Sequence, residues 1–125
     1  NGGKGVATSL AVLASLDIRL GGLFVATWLG TAFVTRYSSL SALLAMLACV
    51  AGGFVWLDTM LTHVATILLG GIVWMRHHAN IGRLLTGTES KIEKKQMYFH
   101  LIIVKLLFLT YISYLFSLEN IAKCL

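Results

Sequence analysis

Long apolar runs, separated only by short polar stops, are the feature that most restricts what this chain can fold into. Charged residues make up 12% of the sequence and hydrophobic residues 58%, whereas about a quarter of the residues in soluble domains are charged. A helix of about 20 apolar residues crosses the hydrocarbon core of a bilayer. The sequence therefore predicts an all-α, polytopic integral membrane helix bundle with about four to five membrane helices. The apolar runs are Gly5–Leu16, Leu20–Thr35, Leu40–Trp56, Met60–Met75 and Met97–Phe116.

Basic residues are concentrated between the fourth and fifth apolar runs. Loops rich in Lys and Arg tend to stay on the cytoplasmic side of a membrane. Counting back through four crossings then places Asp58 and Asp17 outside, and Arg36 and Lys4 inside. The net charge of +5 is explained by this orientation, so no nucleic-acid partner is predicted.

The opening stretch NGGKGVAT places Lys4 among glycines at the start of the first apolar run. That run is short, so Lys4 is expected roughly 10 Å inside the bilayer boundary, where an unpaired lysine is costly. Backbone N–H groups and the helix dipole attract anions at a glycine-rich helix start, and Thr8 lies one turn further on the same face. The stretch is predicted to hold a phosphate or a carboxylate. The alternative is a lysine that extends to the headgroups, with glycines that only allow close helix packing.

A second polar stretch, RHHANIGRLLTGTESKI, follows the fourth apolar run. If it is helical, Asn80 shares a face with Arg76 and His77, and these side chains can converge with the opening stretch. The alternative is a solvated basic loop that only sets topology, which is the role expected for Arg83. No metal site is predicted, because the adjacent His77 and His78 point apart on a helix.

Three motifs, GGKGVAT, TRYSSL and RHHANIGRLLTGTESKI, occur in this order with apolar helices between them. Together they resemble the bacterial membrane glycerol-3-phosphate acyltransferases that use acyl-phosphate as donor, the PlsY family, over roughly Gly2 to Ile92. The resemblance implies transfer of a fatty acyl group from acyl-phosphate to glycerol 3-phosphate, giving lysophosphatidic acid for phospholipid biosynthesis. It also implies a multi-pass protein of the bacterial cytoplasmic (inner) membrane, with its active site on the cytoplasmic side. No metal and no cofactor are implied.

The same motifs assign expected roles to individual residues. Lys4, His77 and Asn80 are the expected catalytic residues, and Glu89 and Lys91 are expected to shape the loop of the last motif. Arg36 and Ser39 are weaker candidates from the middle motif. The full set expected to bind substrate or phosphate is Gly2, Gly3, Lys4, Gly5, Thr8, Arg36, Ser39, His77, Asn80 and Glu89.

Two departures from the family pattern shape the expected domain organisation. The family's first motif, a Gly/Asn-rich loop with an arginine, is absent, and the chain does not start with Met. We therefore expect residues 1–96 to be the C-terminal part of an acyltransferase domain, inactive without the missing N-terminal helices of the same protein. Residues 97–125 are an additional hydrophobic segment outside the resemblance. The alternative function is a non-enzymatic transporter or scaffold subunit with basic cytoplasmic loops.

Overall fold

The computed structural model of the chain describes residues 5–124 and, within the last helix, part of the side chains. Every regular element in that range is helical, so the predicted all-α helix bundle is confirmed. The segment after the fourth apolar run, for which a solvated loop was the alternative, contains the short helix α5. The helices are α1 (Val6–Leu16), α2 (Ile18–Thr35), α3 (Ser38–Trp56), α4 (Met60–Arg76), α5 (His78–Leu85) and α6 (Lys94–Cys124).

Short turns connect the first four helices, so consecutive helices run antiparallel. Asp17 alone separates α1 from α2, and its side chain caps α2 by accepting a 2.7 Å hydrogen bond from the Arg19 N–H. The Arg19 guanidinium lies 5.6 Å from the ring of Trp56, the last residue of α3. The α1–α2 turn and the end of α3 therefore lie at the same end of the bundle.

Helix α3 is the centre of the bundle, because it packs against both α2 and α4 and contributes more buried residues than any other described helix. Cys49 is fully buried there, and its thiol donates to the Leu20 carbonyl at 3.4 Å. It is a small packing residue, as its position in an apolar run indicated. The buried hydrophobic core consists of Leu13, Leu20, Phe24, Ala45, Met46, Cys49, Leu57 and Val73.

Helices α1 and α2 approach each other closely at Gly21. A Cβ atom at this position would lie 2.8 Å from the Ala14 Cβ and 3.1 Å from the Ala14 Cα. The neighbouring Gly22 faces open space, since a Cβ there would meet nothing within 4 Å. Small residues allow membrane helices to pack closely when lipid gives no hydrophobic drive between them.

Apolar side chains cover the outside of the bundle. Val34, Val55 and Leu61 are more than three-quarters exposed, which suits a helix bundle whose solvent is hydrocarbon. By length and composition α2 and α3 can each cross a bilayer, whereas α1 and α4 are shorter apolar helices of 11 and 17 residues.

The described chain divides after Ile92 into two compact units. Helices α1–α5 and the segment that follows α5 belong to the first unit. The 31-residue helix α6 belongs to the second, and it contains the whole of the predicted apolar run from Met97 to Phe116. The assignment of the two segments as functional domains stays a prediction.

Candidate active site

The antiparallel arrangement brings three separate stretches of sequence to the end of the bundle opposite Trp56. These are the start of α1 at Gly5, the α2–α3 turn at Arg36, and the α4–α5 junction at His77. All three motifs singled out in the sequence therefore have residues at one end. Gly2, Gly3 and Lys4 lie outside the described residues.

The start of α1 has a backbone that favours glycine. Gly5 has φ +87°, in the left-handed region, and the space around its Cα is open, so the requirement is one of conformation rather than room. Its carbonyl accepts the Ser9 N–H at 2.8 Å and the Ser9 hydroxyl at 2.7 Å. Ser9 is buried, whereas the predicted Thr8 is exposed. The first turn of this described helix contains no acidic residue, so the positive end of its dipole favours an anion.

The helical stretch that begins at Met60 is interrupted at His77, which separates α4 from α5. The His77 Nδ1 lies 2.7 Å from the Val73 carbonyl, and its backbone N–H is shared between the Val73 and Trp74 carbonyls at 3.1 Å. Arg76 ends α4 while Asn80 lies on α5, so these two residues do not lie on one continuous helix.

The imidazole of His77 is held in one orientation. The side chain is buried, with 5% of the residue exposed. Because a carbonyl oxygen can only accept, the Nδ1 atom facing Val73 carries the proton, and in the neutral ring Nε2 is then the acceptor. His77 thus combines fixed placement with one nitrogen able to accept a hydroxyl hydrogen bond.

Glu89 is the point at which three donors meet. Its Oε1 accepts the Ser39 hydroxyl at 2.7 Å and the Asn80 Nδ2 at 2.9 Å, and its Oε2 accepts the Arg83 Nε at 2.8 Å. The Glu89 side chain is only 7% exposed, whereas the Arg83 side chain is 49% exposed. The carboxylate therefore joins the start of α3 to α5 and to the loop after it.

The environment of Glu89 keeps it ionised. Burial raises the pKa of its carboxyl, but the hydrogen bonds from Ser39, Asn80 and Arg83 and the charge of Arg83 outweigh this effect, so the pKa lies below the usual glutamate value. A carboxylate accepts only, so Asn80 must present its Nδ2 to Glu89. That orientation turns the Asn80 Oδ1 away from Glu89, where it can accept from a ligand hydroxyl.

A glycine after α5 brings Glu89 back to its donors. The Thr88 N–H reaches the Arg83 carbonyl at 2.8 Å and the Gly87 N–H reaches the Leu84 carbonyl at 3.2 Å, while Gly87 has φ +70°. This pair of bonds with a left-handed glycine is a Schellman motif, which ends a helix and reverses the chain. The Gly-Thr-Glu sequence is therefore the local signal for the Glu89 position.

The α2–α3 turn holds the segment that follows Glu89. The Arg36 Nη2 donates to the Ile92 carbonyl at 2.9 Å, and the Ile92 N–H donates to the Arg36 carbonyl at 2.7 Å. The Lys91 ammonium lies 5.8 Å from the centre of the Tyr37 ring. The Arg36 Nε is buried and has no hydrogen-bond partner among the described residues.

Sequence reasoning missed two residues that the structure brings into this end of the bundle. Arg83 was expected only to set topology, yet it pairs with Glu89. The sequence signal for this pair was an acidic residue six positions after a basic one, with the helix-ending Gly87 between them. Ser9 was not singled out, although its hydroxyl makes the hydrogen bond at the start of α1. Within the described residues no three His, Cys, Asp or Glu side chains are grouped as metal ligands.

Comparison with known proteins gives a consistent family. A family model described as "Glycerol-3-phosphate acyltransferase" matches residues 1–87. The chain is similar to the glycerol-3-phosphate acyltransferase of Agrobacterium fabrum, with 48% identity over 94 residues that cover 75% of this chain and 45% of the relative. The corresponding protein of Bordetella avium is 47% identical over 100 residues, which cover 76% of this chain and 47% of the relative.

Solved structures agree with the sequence relatives. The fold is similar to crystal structures of PlsY, described as an integral membrane glycerol 3-phosphate acyltransferase, in a glycerol 3-phosphate form (TM-score 0.71) and a lysophosphatidic acid form (TM-score 0.72). Each is 32% identical and matches 79% of this chain and 50% of its own. The chain thus spans about half the length of the relatives it matches. The transporter or scaffold alternative is not favoured by these relatives.

Proposed function

The chain belongs to the glycerol-3-phosphate acyltransferase family, and from this we propose that it supplies part of the active site of an acyl-phosphate-dependent enzyme. The reaction moves a fatty acyl group from acyl-phosphate to glycerol 3-phosphate and gives lysophosphatidic acid. The hydroxyl oxygen of the acceptor bonds to the acyl carbon, the bond from that carbon to the phosphate oxygen breaks, and the hydroxyl proton leaves with inorganic phosphate.

The observation that carries this proposal is the Glu89 carboxylate with its three donors at the bundle end that also holds His77. Glu89 fixes the Asn80 amide, and Val73 fixes the His77 ring. The Asn80 Oδ1 and the His77 Nε2 then present acceptors suited to the hydroxyl groups of glycerol 3-phosphate. Fixed acceptors of this kind place the attacking oxygen and reduce the entropy lost in reaching the transition state.

Phosphate binding is the second requirement, because glycerol 3-phosphate is a phosphate ester and acyl-phosphate is a mixed anhydride. We assign it to Lys4 and the backbone N–H groups of Gly2, Gly3 and Gly5, with the α1 dipole adding to their attraction. Acyl-phosphate is already activated, so the protein needs to position it and to stabilise negative charge rather than to supply a nucleophile. The acyl chain can remain in lipid beside the exposed apolar surface of the helices.

The membrane orientation follows from the charges at the two ends. Arg76, Arg83 and Lys91 lie at the end that holds His77, while Asp17 and Asp58 lie at the other. With positive residues on the inside, the proposed active site faces the cytoplasm of a bacterial cell, in its cytoplasmic membrane. Water-soluble glycerol 3-phosphate then enters from the cytoplasm.

The test is an acyl-transfer assay in membranes with acyl-phosphate and glycerol 3-phosphate. It compares this chain alone, the complementary N-terminal helices alone, both co-expressed, and the complete protein. We expect activity in the complete protein, none from either part alone, and partial recovery on co-expression, since membrane helices inserted separately can associate through small-residue faces. No lysophosphatidic acid from the complete protein would disprove the function, and full activity from this chain alone would disprove the need for further donors.

A further inference from the structure

We propose that Arg36 is a positioning residue that acts through the segment Glu89–Ile92, called here the strap, and not a phosphate ligand. The inference rests on the proposed function, because the group it positions is Asn80. Arg36 holds the far end of the strap, and the near end of the strap holds the Asn80 amide through Glu89.

The strap lies antiparallel to the α2–α3 turn. Three contacts follow one register: Ser39 with Glu89, Tyr37 with Lys91, and Arg36 with Ile92. From one pair to the next, the residue number rises on the turn as it falls on the strap. One hydrogen bond, one cation–π contact and one pair of hydrogen bonds to the main chain therefore fix the strap along its whole length.

The backbone of Arg36 indicates that its side chain is needed at this place. Arg36 caps the end of α2 with φ 60° and ψ 21°, and its N–H bonds to the Ala32 carbonyl at 2.9 Å. Helices commonly end with glycine in this conformation, because a residue with a Cβ is strained there. An arginine in a glycine position is explained by its guanidinium, which reaches the Ile92 carbonyl while its own carbonyl accepts the Ile92 N–H.

Two of the three guanidinium nitrogens are poorly placed to bind a phosphate from solution. The Arg36 Nη2 is committed to Ile92, and its Nε is buried. A phosphate that took these donors would have to displace the Ile92 carbonyl and release the strap. Release would withdraw Glu89 from Asn80, and the amide would lose the orientation that presents its Oδ1.

The first experiment is a double-mutant cycle in the complete protein, with Arg36→Ala, Glu89→Gln and the combination. If Arg36 acts through the strap, Arg36→Ala lowers kcat on the order of tenfold with a smaller change in KM for glycerol 3-phosphate, and the double variant is about as active as Glu89→Gln alone. Arg36→Gly, which fits the backbone, loses activity equally. A rise in KM at unchanged kcat, with effects that add in the double variant, would establish a phosphate ligand and overturn the proposal.

The second experiment does not depend on catalysis. Detergent-solubilised wild type, Arg36→Ala and the control Lys95→Ala are treated briefly with trypsin, and cleavage after Lys91 is followed by mass spectrometry. We expect several-fold faster cleavage after Lys91 in Arg36→Ala and no change in Lys95→Ala, because protease sites open with local release of the segment. An unchanged rate in Arg36→Ala would refute the strap. If the wild type transfers no acyl group, the proposed function fails and this experiment still decides the role of Arg36.

Discussion

The Ser39 hydroxyl donates a 2.7 Å hydrogen bond to Glu89, which lies 50 residues further along the chain. This bond joins the first turn of α3 to the loop after α5, so two motifs that are separate in sequence form one polar structure. Glu89 receives the Asn80 amide on the same oxygen. The carboxylate thereby links the middle motif to the residues proposed to bind substrate.

Asn80→Ala should reduce acyl transfer more than Arg83→Ala. Asn80 is half-buried and its amide is fixed by Glu89, whereas the Arg83 side chain is 49% exposed and its ion pair is partly screened by solvent. Arg83→Ala should still lower activity measurably, because it removes one of the three donors to Glu89. Paired measurements of kcat and KM check this, and equal losses would contradict the distinct roles assigned to the two residues.

Acid should remove the stabilisation that depends on the Glu89 carboxylate. The pKa of Glu89 is lowered in the folded protein, so its contribution is complete above the ordinary glutamate pKa of about 4.3 and is lost as the pH falls through the folded value. Thermal unfolding in detergent from pH 7 to pH 3 should show Glu89→Gln less stable than wild type at pH 7. The two curves should converge at the acid end, and a constant difference at every pH would argue against the ionised carboxylate.

Lys4→Ala in the complete protein should nearly abolish acyl transfer and leave membrane insertion intact. Loss of a charge-assisted contact to phosphate costs about 1.5–3 kcal/mol, equivalent to about tenfold to more than a hundredfold in rate if the contact acts in the transition state. Turnover and membrane content are measured on the same preparations, with Lys95→Ala as the matched loss of a basic residue. Near-normal turnover would rule out the phosphate site at the start of α1.

Gly21→Ala should destabilise the bundle while Gly22→Ala should not. A methyl group at position 21 would lie 2.8 Å from the Ala14 Cβ, whereas one at position 22 meets nothing within 4 Å. Overpacking of this kind costs about 1–3 kcal/mol, and alanine in an open helical position gains about 0.5–1 kcal/mol over glycine. Melting temperatures in detergent should therefore move in opposite directions, and equal shifts would show that α1 and α2 do not approach closely at Gly21.

Cysteine labelling should place the two ends of the bundle on opposite sides of the membrane. In a background that lacks Cys49 and Cys124, Arg76→Cys should react with an impermeant thiol reagent from the cytoplasmic side and Asp58→Cys from the outside. Both positions are exposed and lie at opposite ends of α4. Labelling of both from one side would overturn the orientation derived from the basic residues.

The sequence by itself determined the class of fold and most helix limits. Apolar runs and their polar stops are local signals, and they place Leu16, Thr35 and Trp56 at helix ends where the structure also has them. The order of the three motifs identified the family. The helix stop at Gly87 is also local, because a left-handed backbone after a helix favours glycine whatever the tertiary environment.

Only the tertiary structure decided which polar groups meet. The register of α3 against α5 sets the distance from Ser39 to Glu89, and nothing within either motif encodes it. The break at His77 also escaped prediction, since no proline or glycine stands at the junction of α4 and α5. Arg36 has a left-handed backbone that usually favours glycine. The presence of an arginine there is explained only by its hydrogen bond to Ile92, 56 residues away. Hydrogen-bond partners across such separations are fixed by how the helices pack, whereas helix formation in lipid is fixed locally by apolar composition.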